Sequence, residues 1–389
     1  MRVNTAKHYI PKCVHFNICG GCQFRNQQYN KQLALKQKDV SACLSEFNHP
    51  KINHILASPH INYYRNKMEY ACGVWDGVLV VGLRARNTYF KIIPLTHCYL
   101  QSERSAQIIS AISSSAVKLG ITGYHRKKAE GILRYAVVRE GKHTDQIMVN
   151  LITSRASKDV IKALCDAVQT LHPYISSLLW SQTDNRSDVA AGETTEIMYG
   201  QDYIEEHIGN IRFKISPCSF FQTNTTGAEV LYNVIKKYAR TFNARVLLDM
   251  YCGAGGIGLC LSSIFKRVIG IENNQHAVAD ARHNMHLNNI SNIEFHCLQA
   301  EQFNHDLVQE DFNHILAVVD PPRPGMDTKL IKFLCTARPA GIIYVSCNLI
   351  ALKRDLQRLI QYYRISSIQP IDLFPHTPHV ETVVVLKAR

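Results

Sequence analysis

The sequence holds no long hydrophobic run. No apolar stretch approaches the roughly 20 residues a helix needs to cross a bilayer, so no membrane association is expected in this 389-residue chain. The opening stretch, Met1–Lys12, lacks both an apolar h-region and a small-residue cleavage site, and no secretory leader is expected. Internal repeats and low-complexity segments are missing as well. Acidic residues are scarce beside basic ones, 31 against 44, giving a net charge of +13 and an isoelectric point near 9.1. That imbalance favours a polyanionic partner, and nucleic acid is the commonest soluble one; the rival reading is an ordinary enzyme that happens to be basic. Cysteine is not scarce. There are 13, an odd number in a long chain, which argues against a disulfide framework and for a reducing, cytoplasmic setting. Their expected roles are then core filler, metal ligand or nucleophile.

With 46% hydrophobic and 19% charged residues the chain reads as folded and globular, and its length implies two or three domains. Residues 1–54 hold a cysteine cluster and a polar stretch, Gln27–Lys38, expected to form a helix with a basic face. Residues 55–205 carry short β-rich runs such as Val78–Leu83, Leu133–Arg139 and Ile147–Ile152, with helices near Ser105–Leu119 and Ser157–Leu171, a β-rich α+β pattern. In residues 206–389 apolar strands (Val246–Met250, Arg267–Ile271, Ile293–Leu298, Ile315–Val319, Ile342–Val345) alternate with helices, and Val380–Leu386 closes the chain. This is the α/β pattern of a doubly wound, mostly parallel sheet of Rossmann-like kind.

The first strand of that part ends in Asp249 and runs into Met250-Tyr251-Cys252-Gly253-Ala254-Gly255-Gly256-Ile257-Gly258. Glycines there let the backbone turn sharply and approach a ligand. A dinucleotide fingerprint fits Gly253, Gly255 and Gly258, but a pyrophosphate seldom wants an acid just upstream. S-adenosylmethionine has no phosphate and carries a sulfonium and an ammonium, so the acidic strand end suits it better. Asp249 has a structural alternative as a cap of the glycine turn. The next strand ends in Glu272, placed to accept ribose hydroxyls. The fourth leads into Asp320-Pro321-Pro322-Arg323-Pro324-Gly325, a stiff loop at the ligand-binding end of the sheet.

The strand Ile342–Val345 ends in Ser346-Cys347-Asn348, so Cys347 opens onto the cleft just where a helix begins, a position expected to favour thiolate. Addition of a thiolate to carbon 6 of uracil would make carbon 5 nucleophilic, and a base must afterwards remove the carbon-5 proton. Glu381 is the candidate base, with His376 and His379 as rivals. At the other end of the chain Cys13, Cys19 and Cys22 form C-x5-C-x2-C around Gly20-Gly21. A fourth thiolate is needed, with Cys98 preferred over Cys43 and Cys72. One triplet plus a distant single favours a [4Fe–4S] cluster over paired zinc knuckles.

Taken together, Cys13–Cys22 with Gln23, Tyr64–Met68, Ser219–Asn224, Asp249–Gly258, Asp320–Gly325, Val345–Asn348 and Pro375–Glu381 resemble the RNA (uracil-C5)-methyltransferases, the bacterial 23S rRNA 5-methyluridine enzymes and their tRNA relatives. The resemblance spans nearly the whole chain. It implies Cys347 as nucleophile and Glu381 as base. It implies Gln222, Tyr251, Gly256, Glu272 and Asp320 as contacts of S-adenosylmethionine, and Cys13, Cys19, Cys22 and Cys98 as ligands of a structural [4Fe–4S] cluster in a small N-terminal iron–sulfur segment. With 12 residues ahead of Cys13, the expectation is the shorter branch without the family's N-terminal β-barrel RNA-binding domain. The implied partner is RNA, 23S rRNA before tRNA, and a monomer is expected. RNA grip would fall to Arg65, Lys67, Arg84, Arg86, Arg126, Lys127, Lys128, Arg134 and Arg139, with Tyr63, Tyr64 and Phe90 to stack on bases. An amino-group methyltransferase, which needs no cysteine nucleophile, and a non-catalytic RNA-binding iron–sulfur protein are the alternatives.

Overall fold

A computed structural model describes residues 12–88, 90–304 and 307–389; Met1–Pro11, most of the stretch read as lacking a leader, lie outside them. Among the described residues no helix is long and apolar enough to cross a membrane. The described residues form two compact units, one of residues 12–26, 60–207 and 214–218, the other of 27–59, 208–213 and 219–389.

In chain order the elements begin with helix α1 (Tyr29–Leu44), which belongs to the second unit. Strands β1 (Lys67–Trp75), β2 (Val78–Arg84) and β3 (Ile92–Pro94), helix α2 (Glu103–Lys118), strands β4 (Leu133–Glu140) and β5 (Ile147–Thr153), helix α3 (Lys158–Leu171) and strands β6 (Ser177–Gln182) and β7 (Thr194–Gly200) make the first unit. Its sheet has the order β3-β2-β1-β4-β5-β6-β7 and is antiparallel except between β5 and β6, which α3 connects. Both central strands are buried along their whole length, in keeping with their near-continuous apolar runs. A ribbon of β8 (Ile204–Ile208) and β9 (Ile211–Ile215) is divided between the units.

The second unit continues with α4 (Thr225–Ala239), β10 (Val246–Met250), α5 (Gly256–Leu261), β11 (Arg267–Glu272), α6 (Gln275–Leu287), β12 (Ile293–Cys297), β13 (Ile315–Val319), α7 (Thr328–Ala337), β14 (Gly341–Ser346), α8 (Leu349–Leu359), β15 (Tyr363–Ile371) and β16 (Glu381–Ala388). The sheet order is β12-β11-β10-β13-β14-β16-β15. The five strands from β12 to β14 are parallel, and β16 and β15 add an antiparallel hairpin at one edge. This is the expected doubly wound sheet, reversing strand order between β10 and β13, where such sheets bind ligands.

The structure groups the first 54 residues otherwise than the sequence reading did. The cysteine segment goes with the β-rich unit, whereas α1 and the residues after it go with the parallel sheet. Val40, Leu44 and Phe47 are buried in one apolar cluster with Leu248, Ile269 and Tyr344, and that burial draws the helix to this core. The expected basic face is likewise revised: Lys36 is fully buried.

Candidate active site

The carboxyl ends of β10, β11, β13 and β14 carry the site. At the end of β10, Asp249 is fully buried. Its Oδ2 accepts the Gly258 amide at 2.8 Å, so the capping role is real, while its Oδ1 is buried without a hydrogen-bond partner. Burial pushes this carboxyl up to about 8, opposed by the Gly258 amide. The chain then turns through Tyr251 (φ +64°), Gly253 (φ +53°) and Gly255 (φ +85°) into α5. At Gly255 the left-handed backbone favours glycine, and an added Cβ would lie 2.9 Å from the Phe295 ring. At Gly256 a Cβ would meet the Tyr232 hydroxyl at 2.4 Å, so this residue can present only backbone. Glu272, ending β11, accepts the amides of Gly253 (3.1 Å) and Asn274 (2.9 Å), fixing its carboxylate against the loop with lone pairs still available for a diol.

Gln222, Tyr251, Gly256 and Asp320 line one pocket together with Phe220 and Phe221. The run Ser219–Asn224 builds its wall: Ser219 donates to Asp280, Phe221 packs edge-on against Phe213, and Asn224 caps α4 by accepting the Gly227 amide at 2.9 Å. Gln222 Nε2 lies 3.5 Å from Asp320 Oδ2. Aromatic walls with the Asp320 carboxyl in the lining suit a cationic nucleoside rather than a pyrophosphate.

Next to this pocket lies the second cluster. The antiparallel register ends with Ser346 paired to Thr382, and Cys347 and Glu381 are the residues next to that pair. Asn348 caps α8 through Ile350 and donates to the Arg323 carbonyl at 2.9 Å, tying the cysteine turn to the proline loop; Arg354 holds the Pro324 carbonyl at 2.8 Å. Cys347, Glu381, Asp320 and Arg323 are electrostatic neighbours. The expected preference for thiolate is overturned. Burial first, then the charges of Glu381 and Asp320, push the Cys347 thiol up to about 11, against which Arg323 pulls only partly. Cys347 precedes the cap residue of α8, so the pull of the helix start does not prevail. Burial holds Asp320 near 7, and burial with the Asp320 charge holds Glu381 well above the carboxylate range. Of the rival bases, His376 is buried against Gln32, and the His379 ring packs edge-on against Phe374.

In the first unit Cys13, Cys19, Cys22 and Cys98 line one small pocket with Leu83, Leu95 and Arg25. Among the described residues no group of three or more His, Cys, Asp or Glu side chains has the arrangement of a metal site. Burial pushes Cys19 up to about 11 and Cys22 up to about 12, and the remaining sulfurs add to both shifts. Cys72 is buried in β1, and Cys43 donates to the Leu349 carbonyl in the other unit. The basic residues divide sharply. Arg134 is buried, donates to the carbonyls of Thr183, Asn185 and Ser187 at 2.7–3.2 Å, and lies over the Tyr124 ring. Arg139 and Tyr64 are buried as well. Arg84 and Arg126 both reach Asp188, and Lys127 sits 5.2 Å over the exposed Phe90 ring; these four and Asp188 line a cavity of about 620 Å³.

Sheet order and pocket together define the S-adenosylmethionine-dependent methyltransferases. Comparison with known proteins narrows that class. Residues 144–389 match the tRNA (Uracil-5-)-methyltransferase family, and the chain belongs to it. It is similar to an uncharacterized RNA methyltransferase of Halalkalibacterium halodurans, 35% identical over 97% of this chain and 83% of that one, and to another of Chlorobaculum tepidum, 35% identical over 96% and 82%. In structure it is similar to the Pyrococcus abyssi tRNA (uracil-54, C5)-methyltransferase in complex with S-adenosyl-L-homocysteine, with a TM-score of 0.79, 32% identity, and coverage of 95% of this chain and 86% of that one. The protein is an S-adenosylmethionine-dependent RNA (uracil-5-)-methyltransferase.

Proposed function

We propose that the enzyme works through a covalent bond from Cys347 to carbon 6 of a uridine, with Glu381 removing the carbon-5 proton. The observation that carries this reading is that Cys347 and Glu381, which follow directly on the last register pair Ser346–Thr382, are electrostatic neighbours, with Asp320 acting on both. The resting thiol is protonated, and two carboxyl groups stand near it. Positive charge arriving beside Asp320 relieves the repulsion among these acids and makes ionising Cys347 easier. The thiolate then adds to carbon 6, the electron pair moves onto the uracil carbonyl as an enolate, and carbon 5 becomes the nucleophile. S-adenosylmethionine supplies a methyl group on a positively charged sulfur. Asp249, Gln222, Asp320 and the Phe220–Phe221 wall bind and orient it, and Glu272 holds its ribose. Carbon 5 takes the methyl group and the uracil carbonyl is restored; Glu381, which the same positive charge favours in its ionised form, then removes the carbon-5 proton, and the enolate formed by that loss collapses with expulsion of the Cys347 thiolate.

The reading is tested with RNA containing 5-fluorouridine, because fluorine at carbon 5 does not leave as a proton. With S-adenosylmethionine, a slow-migrating protein–RNA adduct on a denaturing gel is expected, and it is absent in Cys347→Ala. Methyl transfer persisting in Cys347→Ala would instead mark an amino-group methyltransferase.

For the target, 23S rRNA is our reading, on the resemblance to that branch. The tRNA (uracil-54, C5) activity named for the Pyrococcus relative supports tRNA as the second. Methyl incorporation into the two transcripts side by side decides between them. We also read Cys13, Cys19, Cys22 and Cys98 as ligands of a [4Fe–4S] cluster. The support is the pocket that the four thiols share and the burial that opposes ionisation of Cys19, Cys22 and Cys98, a donor set that a cationic cluster core would satisfy. Iron and sulfide content after anaerobic purification tests it, and zinc in place of iron would overturn it.

A further inference from the structure

Helix α1 carries three polar side chains on one face at i, i+3 and i+7: Tyr29, Gln32 and Lys36. All three are buried, Gln32 and Lys36 completely. Each has a partner in the segment between β15 and β16. Lys36 Nζ lies 2.6 Å from Asp372 Oδ1 and donates to the Phe374 carbonyl at 3.0 Å. Tyr29 donates to Asp372 Oδ2 at 2.9 Å. Gln32 accepts the His376 amide at 2.9 Å and lies 3.3 Å from His376 Nδ1. Asp372 in turn accepts the Phe374 amide at 3.1 Å, and His376 takes a left-handed φ of +68°. The residue to which this segment leads is Glu381, the first of β16.

A buried ion pair seldom stabilises more than well-packed apolar side chains would. What it does supply is geometry. Here the pair and its satellites fix a segment that has no ladder of its own. We propose that Tyr29, Gln32 and Lys36 are positioning residues for Glu381, so that α1 governs proton removal from carbon 5. Glu381 is then held from one side by the strand register and from the other by a loop tied to α1. This rests on the reading of Glu381 as the base.

Glu381→Gln, the double variant Lys36→Met/Asp372→Leu and the single variant Gln32→Leu are compared on ordinary uridine RNA with S-adenosylmethionine. The double variant removes both charges, so neither is stranded in the core. In Glu381→Gln the covalent RNA adduct is expected to persist on a denaturing gel. In both α1 variants the same adduct accumulates, turnover falls roughly ten- to a hundredfold, and the affinity for S-adenosylmethionine by calorimetry stays within about twofold of the parent. A folded variant that turns over normally without adduct, or one that loses turnover and donor binding together without adduct, overturns the positioning role alone. If the double variant fails to fold, Gln32→Leu decides by the same readouts. No adduct in Glu381→Gln overturns the base assignment, and the positioning role with it.

Discussion

At the scale of single residues, the site is a set of acids kept from ionising. Asp249 shows the sign of the effect. Its folded value, near 8, is raised above the usual carboxylate value. The associated stability is therefore complete below the unfolded value near 4 and is lost as pH rises from there to about 8. Asp249→Asn keeps an acceptor for the Gly258 amide and lacks this slope. Relative to the parent it gains stability across that interval, on the order of a few kcal/mol at its end, read as the difference in urea unfolding at pH 5 and pH 8. The same variant loses most of the donor-induced rise in melting temperature, because an amide, unlike the Asp249 carboxyl, cannot ionise when a positively charged donor arrives. Cys347 gives the second pH prediction. With the thiol near 11, its alkylation without donor climbs about tenfold per pH unit from 7 to 10. Peptide mass spectrometry resolves it from the exposed Cys218 and Cys297, and a plateau below pH 8 would show that the acids do not control it. The positions of Asp249, Asp320, Cys347 and Glu381 were legible in sequence, since each falls at a strand end beside a turn or stiff loop. The charge state of Cys347 was not, because Glu381 is a neighbour only through the pairing of β14 with β16.

At the scale of elements, the strand and helix periods from Val246 to Leu359 foretold the parallel sheet, with ends shifted by a residue or two. Strand β15 escaped notice. Its sequence has a serine pair, a bulge between Ile365 and Ser367, and Pro370, all tolerated because it lies at the sheet edge. Helix α1 was foreseen as a helix but with the wrong surroundings. Its polar residues looked solvated, because their partners, Asp372 and His376, stand more than three hundred residues away in sequence. The apolar residues near its end make the consequence measurable. Leu44 is fully buried in the cluster that contains Leu248 and Tyr344. Leu44→Ala is expected to destabilise the catalytic unit by about 2–5 kcal/mol, seen as a lower urea midpoint by the near-ultraviolet signal of that unit. An unchanged midpoint would show that α1 is a peripheral attachment rather than part of the core.

At the scale of the whole molecule, a net charge of +13 makes RNA affinity depend on salt, but only cations that can reach phosphate contribute to the slope. The first unit separates two kinds of arginine. Arg126 is half-exposed and shares Asp188 with Arg84, a contact a phosphate can replace, and Lys127 stands at the rim over the Phe90 ring. Arg134 spends its donors on three carbonyls of the chain and is 4% exposed. Arg126→Ala and Lys127→Ala are therefore expected each to reduce the slope of log affinity against log salt by about 1, with unfolding unchanged. Arg134→Ala should leave that slope where it was and lower stability by about 2–4 kcal/mol, since three carbonyls lose their partner inside the fold. Filter binding across a salt series and urea unfolding of the same three variants separate these outcomes. A reversed pattern, with Arg134 setting the slope and the other two setting stability, would mean that phosphate meets Arg134, which lines the same cavity, rather than Arg126 and Lys127.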